Sequence, residues 1–326
     1  MDGAAELGYV CRMKFFTGLF LVFAYLSVHA QDKLVCYRLL GEKGTALEYS
    51  TNVSRVSPAW LDHHLVGSTD KALAVYPAAA YLDGILAAIM SQPERAKHET
   101  IVLENVEIPS ALPLLPARRE KPPAEATIKT TLVPNAGGYS FSIASRGEHM
   151  KGQAFFAGAF APIPPLLQTL GKDLPPAELY AALAKRGLPY GETFRLVQKV
   201  TVSGATSVGL LTPHASLDFS QHFIHPTTTD SALHTVAAIL IANPTAWEIP
   251  EQFRNSIALP VGFDRVQASA KNLHQLRGNF TTEANITGVK THTEGDLKVT
   301  VKYDLVLRDE EGAVVLQITG GRLLFR

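Results

Sequence analysis

Cysteine is scarce: Cys11 and Cys36 are the two in 326 residues, so no disulfide framework can hold a chain of this size together. An excess of either charge is missing too. Thirty Lys+Arg face thirty Asp+Glu, dispersed rather than in runs, which excludes the basic footprint expected for a nucleic-acid or anionic-membrane partner. There is no phosphate-binding glycine loop, no dinucleotide fingerprint and no Gly-x-Ser-x-Gly elbow, so the sequence offers no support for nucleotide-dependent or elbow-serine chemistry. The eleven histidines do not make a metal pattern. His222, His225 and His234 fit no common zinc spacing, no cysteine or paired carboxylate joins them, and Met150 after His149 ends any His-Glu-x-x-His. No metal is expected.

A long apolar run occurs only at the N-terminus. Arg12 and Lys14 precede apolar residues 15–28, and Val28-His29-Ala30 closes them, the order of a secretory signal. The run is short for a spanning helix. Residues 1–33 are therefore set apart from the fold as a signal-like segment, a linker, a misassigned start or an anchor. The triplets at Asn52, Asn279 and Asn285 are formal glycosylation sequons, which matter only in a secreted chain.

What is abundant is apolar material, 46% of the residues, enough for a sizeable core. After Asp32 it falls into short alternating segments between turn residues, the pattern of antiparallel strands. The clearest is 299–307, with apolar residues at every second position, followed by a turn at Asp309-Glu310-Glu311-Gly312 and returning strands at 313–318 and 322–326. Further strands are expected at 47–54, 127–133, 139–144, 153–160, 193–202, 208–211, 265–270, 275–283 and 284–289. Two alanine-rich apolar segments, 78–91 after Pro77 and 227–242 after Pro226, read instead as helices opened by proline. Few other helices are expected. Two similar halves, 34–165 and 166–326, each a sheet around one long apolar helix, would join through the proline-rich stretch 162–176. Such an arrangement is a double hotdog, although periodicity alone also fits other α+β layers. A second proline-rich stretch, 109–123, reads as an exposed loop.

Two places put ionisable residues at the start of a buried helix: Trp60-Leu61-Asp62-His63-His64-Leu65-Val66-Gly67, leading to Pro77-Ala78-Ala79-Ala80-Tyr81-Leu82, and His225-Pro226-Thr227-Thr228-Thr229-Asp230-Ser231-Ala232-Leu233-His234. A neutral imidazole suits proton abstraction next to a carbonyl near neutral pH, and a carboxyl held protonated by burial suits protonation of a leaving hydroxyl.

These residues resemble the dehydratase domains of polyketide and animal-type fatty acid synthases. His63, Gly67, Pro77, Tyr81 and Leu82 match that family's Asp-His-x-x-x-Gly…Pro element and following helix. His225, Pro226, Asp230 and His234 match its His-Pro-x-x-x-Asp-x-x-x-Gln/His element. Arg38-Leu39-Leu40-Gly41, Tyr190-Gly191-Glu192-Thr193-Phe194 and Leu259-Pro260-Val261-Gly262 resemble its opening strand, its Tyr-Gly-x-x-Phe element and its Leu-Pro segment. The resemblance spans about residues 36 to 326. One departure stands out: nine residues separate Gly67 from Pro77, more than the family usually has, and would form an extra loop beside the site.

The resemblance implies a double hotdog that dehydrates a β-hydroxyacyl thioester, with His63 as base and Asp230 as acid. His234 and Tyr190 would support them, and backbone amides near Gly67 or after Pro77 would face the thioester carbonyl. It further implies no cofactor of its own, a substrate carried on the phosphopantetheine of an acyl carrier protein, other synthase domains as partners, a homodimer and a cytoplasmic setting. A strand ending at Arg326 fits a domain cut from, or terminating, a larger synthase. Two alternatives share the fold: a cyclase or isomerase of pyran-forming or product-template-like kind, and a non-catalytic scaffold that binds acyl chains or carrier protein.

Overall fold

The computed structural model describes residues 38–43, 46–68, 70–92, 97–116, 124–166, 171–270, 278–293 and 296–325. Both cysteines and the apolar segment 1–33 lie outside the described residues.

In the first half, β1 (Arg38–Lys43), β2 (Ala46–Val53), β5 (Thr100–Glu107), β7 (Ala126–Asn135), β8 (Gly138–Ala144) and β9 (Glu148–Ala157) share a sheet, while β3 (Leu65–Val66), β4 (Leu73–Tyr76) and β6 (Leu112–Leu114) form a small one. In the second half, β10 (Lys172–Asp173), β11 (Val197–Ser203), β12 (Thr206–Leu211), β13 (Ala258–Ser269), β14 (Phe280–His292), β15 (Lys298–Arg308) and β16 (Val314–Phe325) continue the large sheet. Its order is β1-β2-β7-β8-β9-β5-β13-β16-β15-β14-β12-β11-β10. The halves thus meet edge to edge through antiparallel β5 and β13, from Thr100 opposite Ser269 to Glu107 opposite Gly262.

Alternation on β15 places Val299, Val301, Tyr303, Leu305 and Leu307 in the core, as period-2 patterning requires. The turn after it closes as expected: Gly312 takes φ +83 and Asp309 Oδ1 accepts the Glu311 and Ala313 amides. The two segments expected beyond that turn are one strand, β16. The chain runs through Gly320 and Gly321 without ending, because Gly320 adopts φ +62 with its amide on Asp304 Oδ1, and a Cβ on Gly321 would sit 2.3 Å from the Tyr303 ring. Residues 284–289 likewise belong to a single long β14, which absorbs a bulge between Ile286 and Gly288; residues 275–277 lie outside the described ones. The strand expected at 193–202 begins only at Val197, after a 3-10 turn over Glu192–Phe194.

The two long helices, α1 (Ala78–Met90) and α3 (Pro226–Ala242), are buried nearly all round and touch each other, as helices without a polar face must be. A third, α2 (Pro176–Lys185), starts at the last residue of the proline-rich stretch 162–176 and occupies a segment for which the sequence predicts no element. Its signals are ordinary ones: Pro176 in the first turn, Glu178 near the N-terminus, Leu179, Tyr180 and Leu183 inward. A left-handed Gly187 ends it, φ +82, with Leu188 N–H on the Leu183 carbonyl and Gly187 N–H on that of Ala184, the Schellman arrangement. The stretch 109–123 is also not simply an exposed loop: Leu112 and Leu114 are buried and β6 pairs with β4.

Before α2, the connecting segment is held by a buried ion pair. Arg308 Nε donates to Glu283 Oε1 at 2.8 Å, Arg308 Nη2 to the Ile163 carbonyl at 2.9 Å, and the Leu166 amide to Glu283 Oε2 at 3.0 Å. Removing the carboxylate strands a buried guanidinium, so Glu283→Ala is expected to cost about 3–5 kcal/mol in denaturant unfolding, with Arg308→Ala of similar size and the double variant far less than additive.

Candidate active site

The chain enters the site through a 3-10 turn, Ala59–His63, with Trp60 and Leu61 buried, and leaves it at His64 with φ −94 and ψ 86. That change of backbone direction sends the adjacent histidines to different partners. His63 is half-buried and lies on Gly191, where a Cβ would sit 2.5 Å from its Cγ; its Nδ1 is 2.9 Å from Thr193 Oγ1. His64 is buried, and its Nδ1 lies 2.7 Å from the Val75 carbonyl of β4. A carbonyl only accepts, so Nδ1 carries the hydrogen and Nε2 keeps its lone pair. That Nε2 is 3.7 Å from Asp230 Oδ1. The histidine opposite Asp230 is therefore His64, not the His63 favoured by counting to Gly67. In a His-His pair the turn geometry, not the spacing, decides which ring turns inward.

Asp230 stands in the second turn of α3, 4% exposed. The helix opens on His225, whose Nδ1 accepts the Thr227 amide at 3.2 Å, a cap rather than a reactive group. His234, one turn beyond Asp230, has Nε2 3.3 Å from Asp230 Oδ2, but the angle is poor: neither that oxygen nor either His234 ring nitrogen completes a hydrogen bond. The Tyr190 ring centroid is 4.3 Å from that of His234 and 5.5 Å from that of His64. The Tyr190-Gly191-x-x-Phe194 element thus has a physical reading: Tyr190 faces the carboxyl, Gly191 admits His63, Thr193 holds it, and Phe194 packs 5.1 Å from the His64 ring.

Of the two amide sets expected to face a carbonyl, that of Gly67 is already used, donating to the Gly187 carbonyl at 2.8 Å. Pro77 precedes α1 in extended conformation, and Ala78 at the helix start lines the cavity. The α1 terminus is the set that remains. The extra residues after Gly67 are mostly the β3–β4 hairpin.

Burial lowers the His64 pKa from its ordinary value more than the Asp230 charge raises it. The Asp230 carboxyl is pulled both ways: burial raises it, while a cationic His64, His234 and the Tyr190 hydroxyl together bring it below the usual range. The largest of those downward pulls needs a charge on His64. Burial favours an uncharged His64; with that charge gone, burial of Asp230 is left opposing the contacts of His234 and Tyr190. Burial, with the Asp230 charge, also pushes the Tyr190 hydroxyl well above its ordinary value, so it stays a donor.

The four groups line a cavity of about 140 Å³ whose remaining lining is mostly apolar, Leu183, Leu188, Leu233, Leu240 and Leu259 among it, with Arg186 and Ser256 among the polar exceptions. It suits an uncharged aliphatic chain. One contributor went unforeseen. Asp83, next to Tyr81-Leu82, accepts from the Phe223 and Ile224 amides at 2.7 and 3.2 Å and lies 2.7 Å from His222 Nδ1, tying α1 to the segment before α3. Only folding brings residues 139 positions apart together; the sequence carries no sign of it. Among the described residues no group of three or more His, Cys, Asp or Glu is placed to hold a metal ion.

The family model described as the polyketide synthase dehydratase N-terminal domain matches residues 159–324, just over half of the chain, including Asp230. This chain belongs to the polyketide synthase dehydratase family. The dehydratase domain from the CurJ module of curacin polyketide synthase superposes on it with TM-score 0.72 at 18% identity, over 90% of this chain and 96% of that one. The dehydratase domain of a mycocerosic acid synthase-like polyketide synthase gives 0.68 at 19% identity, over 92% and 98%. At such identities the likeness is one of fold, and the double hotdog is the architecture of this dehydratase-family chain. Lovastatin diketide synthase mokB of Monascus pilosus is 28% identical in a 132-position alignment that covers 35% of this chain and 5% of that protein. This dehydratase-family chain thus corresponds to a small part of that synthase.

Since Gly191 leaves room for the His63 ring, Gly191→Ala should cost about 1–3 kcal/mol in urea unfolding through overpacking. Removing the ring as well, in His63→Ala/Gly191→Ala, should recover most of that loss.

Proposed function

We propose that this chain dehydrates a β-hydroxyacyl thioester to the α,β-unsaturated thioester, as a 3-hydroxyacyl-carrier dehydratase of polyketide synthase type. The observation that carries the reading is the placement of His64 Nε2 3.7 Å from Asp230 Oδ1 at the wall of a single apolar cavity. His64, oriented by Val75, takes the proton from the carbon next to the thioester carbonyl. The electron pair released forms the new double bond as the β-hydroxyl, protonated by Asp230, departs as water. The products leave a cationic imidazole facing a carboxylate, and proton return from His64 to Asp230 restores the starting state. Amides at the α1 terminus face the enolate oxygen. Tyr190 and His234 position the carboxyl.

In the same proposal the halves 34–165 and 166–326 supply His64 and Asp230. The chain has no cofactor of its own, and its substrate rides on the phosphopantetheine of an acyl carrier protein beside other synthase domains. A homodimer and a cytoplasmic setting belong to this reading. It is compatible with the described residues containing no helix long and apolar enough to cross a membrane.

Turnover of a 3-hydroxyacyl pantetheine thioester, followed by mass spectrometry of the enoyl product, tests the assignment. His64→Ala and Asp230→Asn should each reduce it by about 10²–10⁴, whereas His63→Ala should keep most of it. Loss with His63→Ala and retention with His64→Ala would overturn the assignment. The base works unprotonated and burial lowers its pKa, so the acid limb of kcat/KM should lie below pH 6.5 and activity should hold from there to neutrality; a limb above 6.5 contradicts a desolvated base.

A further inference from the structure

Arg186 and Ser256 line two hollows at once. They bound the buried cavity that holds His64 and Asp230, and also a solvent-facing cleft formed by Gly67, Ser68, Lys185, Gly187, Asn255 and Ile257. The cleft thus adjoins the catalytic cavity at these two residues, the position of an outlet. Its construction is firm: Arg186 caps α2, Gly187 closes the cap, and the Gly187 carbonyl accepts the Gly67 amide at 2.8 Å. Three separate segments are fixed there.

The charge at this outlet is one-sided. Arg186 is half-buried, and burial alone lowers its pKa. Among the described residues its guanidinium has neither a carboxylate in ion-pair reach nor a hydrogen bond. Lys185 adds a second, exposed positive charge, and among the described residues the one acid lining either hollow is Asp230, inside. A partly desolvated guanidinium without a partner is a costly arrangement unless an anion completes it, and its planar fork suits two oxygens of a phosphate.

We propose that Arg186 is the clamp for the phosphodiester of the carrier-borne phosphopantetheine arm, held in this cleft while the thioester reaches His64 and Asp230. The inference rests on the dehydratase reading above and adds a positioning residue to it. A pantetheine arm is neutral along its length and charged only at its carrier end, so an apolar cavity leading to a cationic outlet matches both of its parts.

The test uses the full chain and two non-reactive probes, S-alkyl phosphopantetheine and S-alkyl pantetheine, titrated calorimetrically. The wild type should bind the phosphorylated probe about tenfold more tightly, the size of one charge-assisted contact. In Arg186→Gln that ratio should collapse to about one, and Arg186→Lys should restore part of it. Because each variant is its own control, a general loss of affinity does not mimic the result. A wild type indifferent to the phosphate, or an Arg186→Gln variant that keeps the preference, overturns the clamp. So does a KM increase confined to carrier-bound substrate with probe binding unchanged, which would place Arg186 against the carrier protein's surface. Phosphate-dependent binding without dehydration of the 3-hydroxyacyl pantetheine thioester would sustain the clamp and sink the dehydratase reading.

Discussion

The pairing of β5 with β13 joins the two halves into one sheet, and the site depends on that seam. His64 is delivered from before α1 and Asp230 from the second turn of α3, so their 3.7 Å approach exists only while the halves keep one register. Other ties reinforce it across the same boundary. Asp83 holds the approach to α3, Gly191 receives the His63 ring, and the Gly67 amide bonds the end of α2. Each of these ties runs between the first half and the second.

Within that frame the chemistry follows from desolvation. A buried imidazole resists protonation, and at Asp230 burial opposes ionisation against the downward pulls of His64, His234 and Tyr190. The surrounding aromatic rings of Tyr190 and Phe194 contribute by excluding solvent rather than by reacting. Asp230 is left with an unbonded oxygen, a site where a substrate hydroxyl can supply the missing partner.

Much of this was legible in the chain because it rests on local patterns. Alternation marked β15, alanine-rich apolar stretches after proline marked α1 and α3, and His-Pro-x-x-x-Asp placed Asp230. What was not legible depended on backbone geometry or on distant partners. Whether His63 or His64 turns inward is decided by where a 3-10 turn ends. Gly320 and Gly321 look like strand breakers until the Tyr303 ring and Asp304 carboxylate are seen to need them. α2 was hidden by the prolines before it, although Gly187 at its end was a fair signal. The pairings of Asp83 with His222 and of Glu283 with Arg308 leave no trace in one dimension.

The group that orients His64 is the carbonyl of Val75, and every amino acid carries a carbonyl. No exchange of side chain at position 75 deletes the anchor, so the imidazole's tautomer is insulated from point substitution there. What could unsettle it is a change in chain length between Gly67 and β4, which would slide another peptide unit into that place and turn the ring with it. The anchor is thus indifferent to which side chain stands at Val75 and sensitive to how many residues precede it.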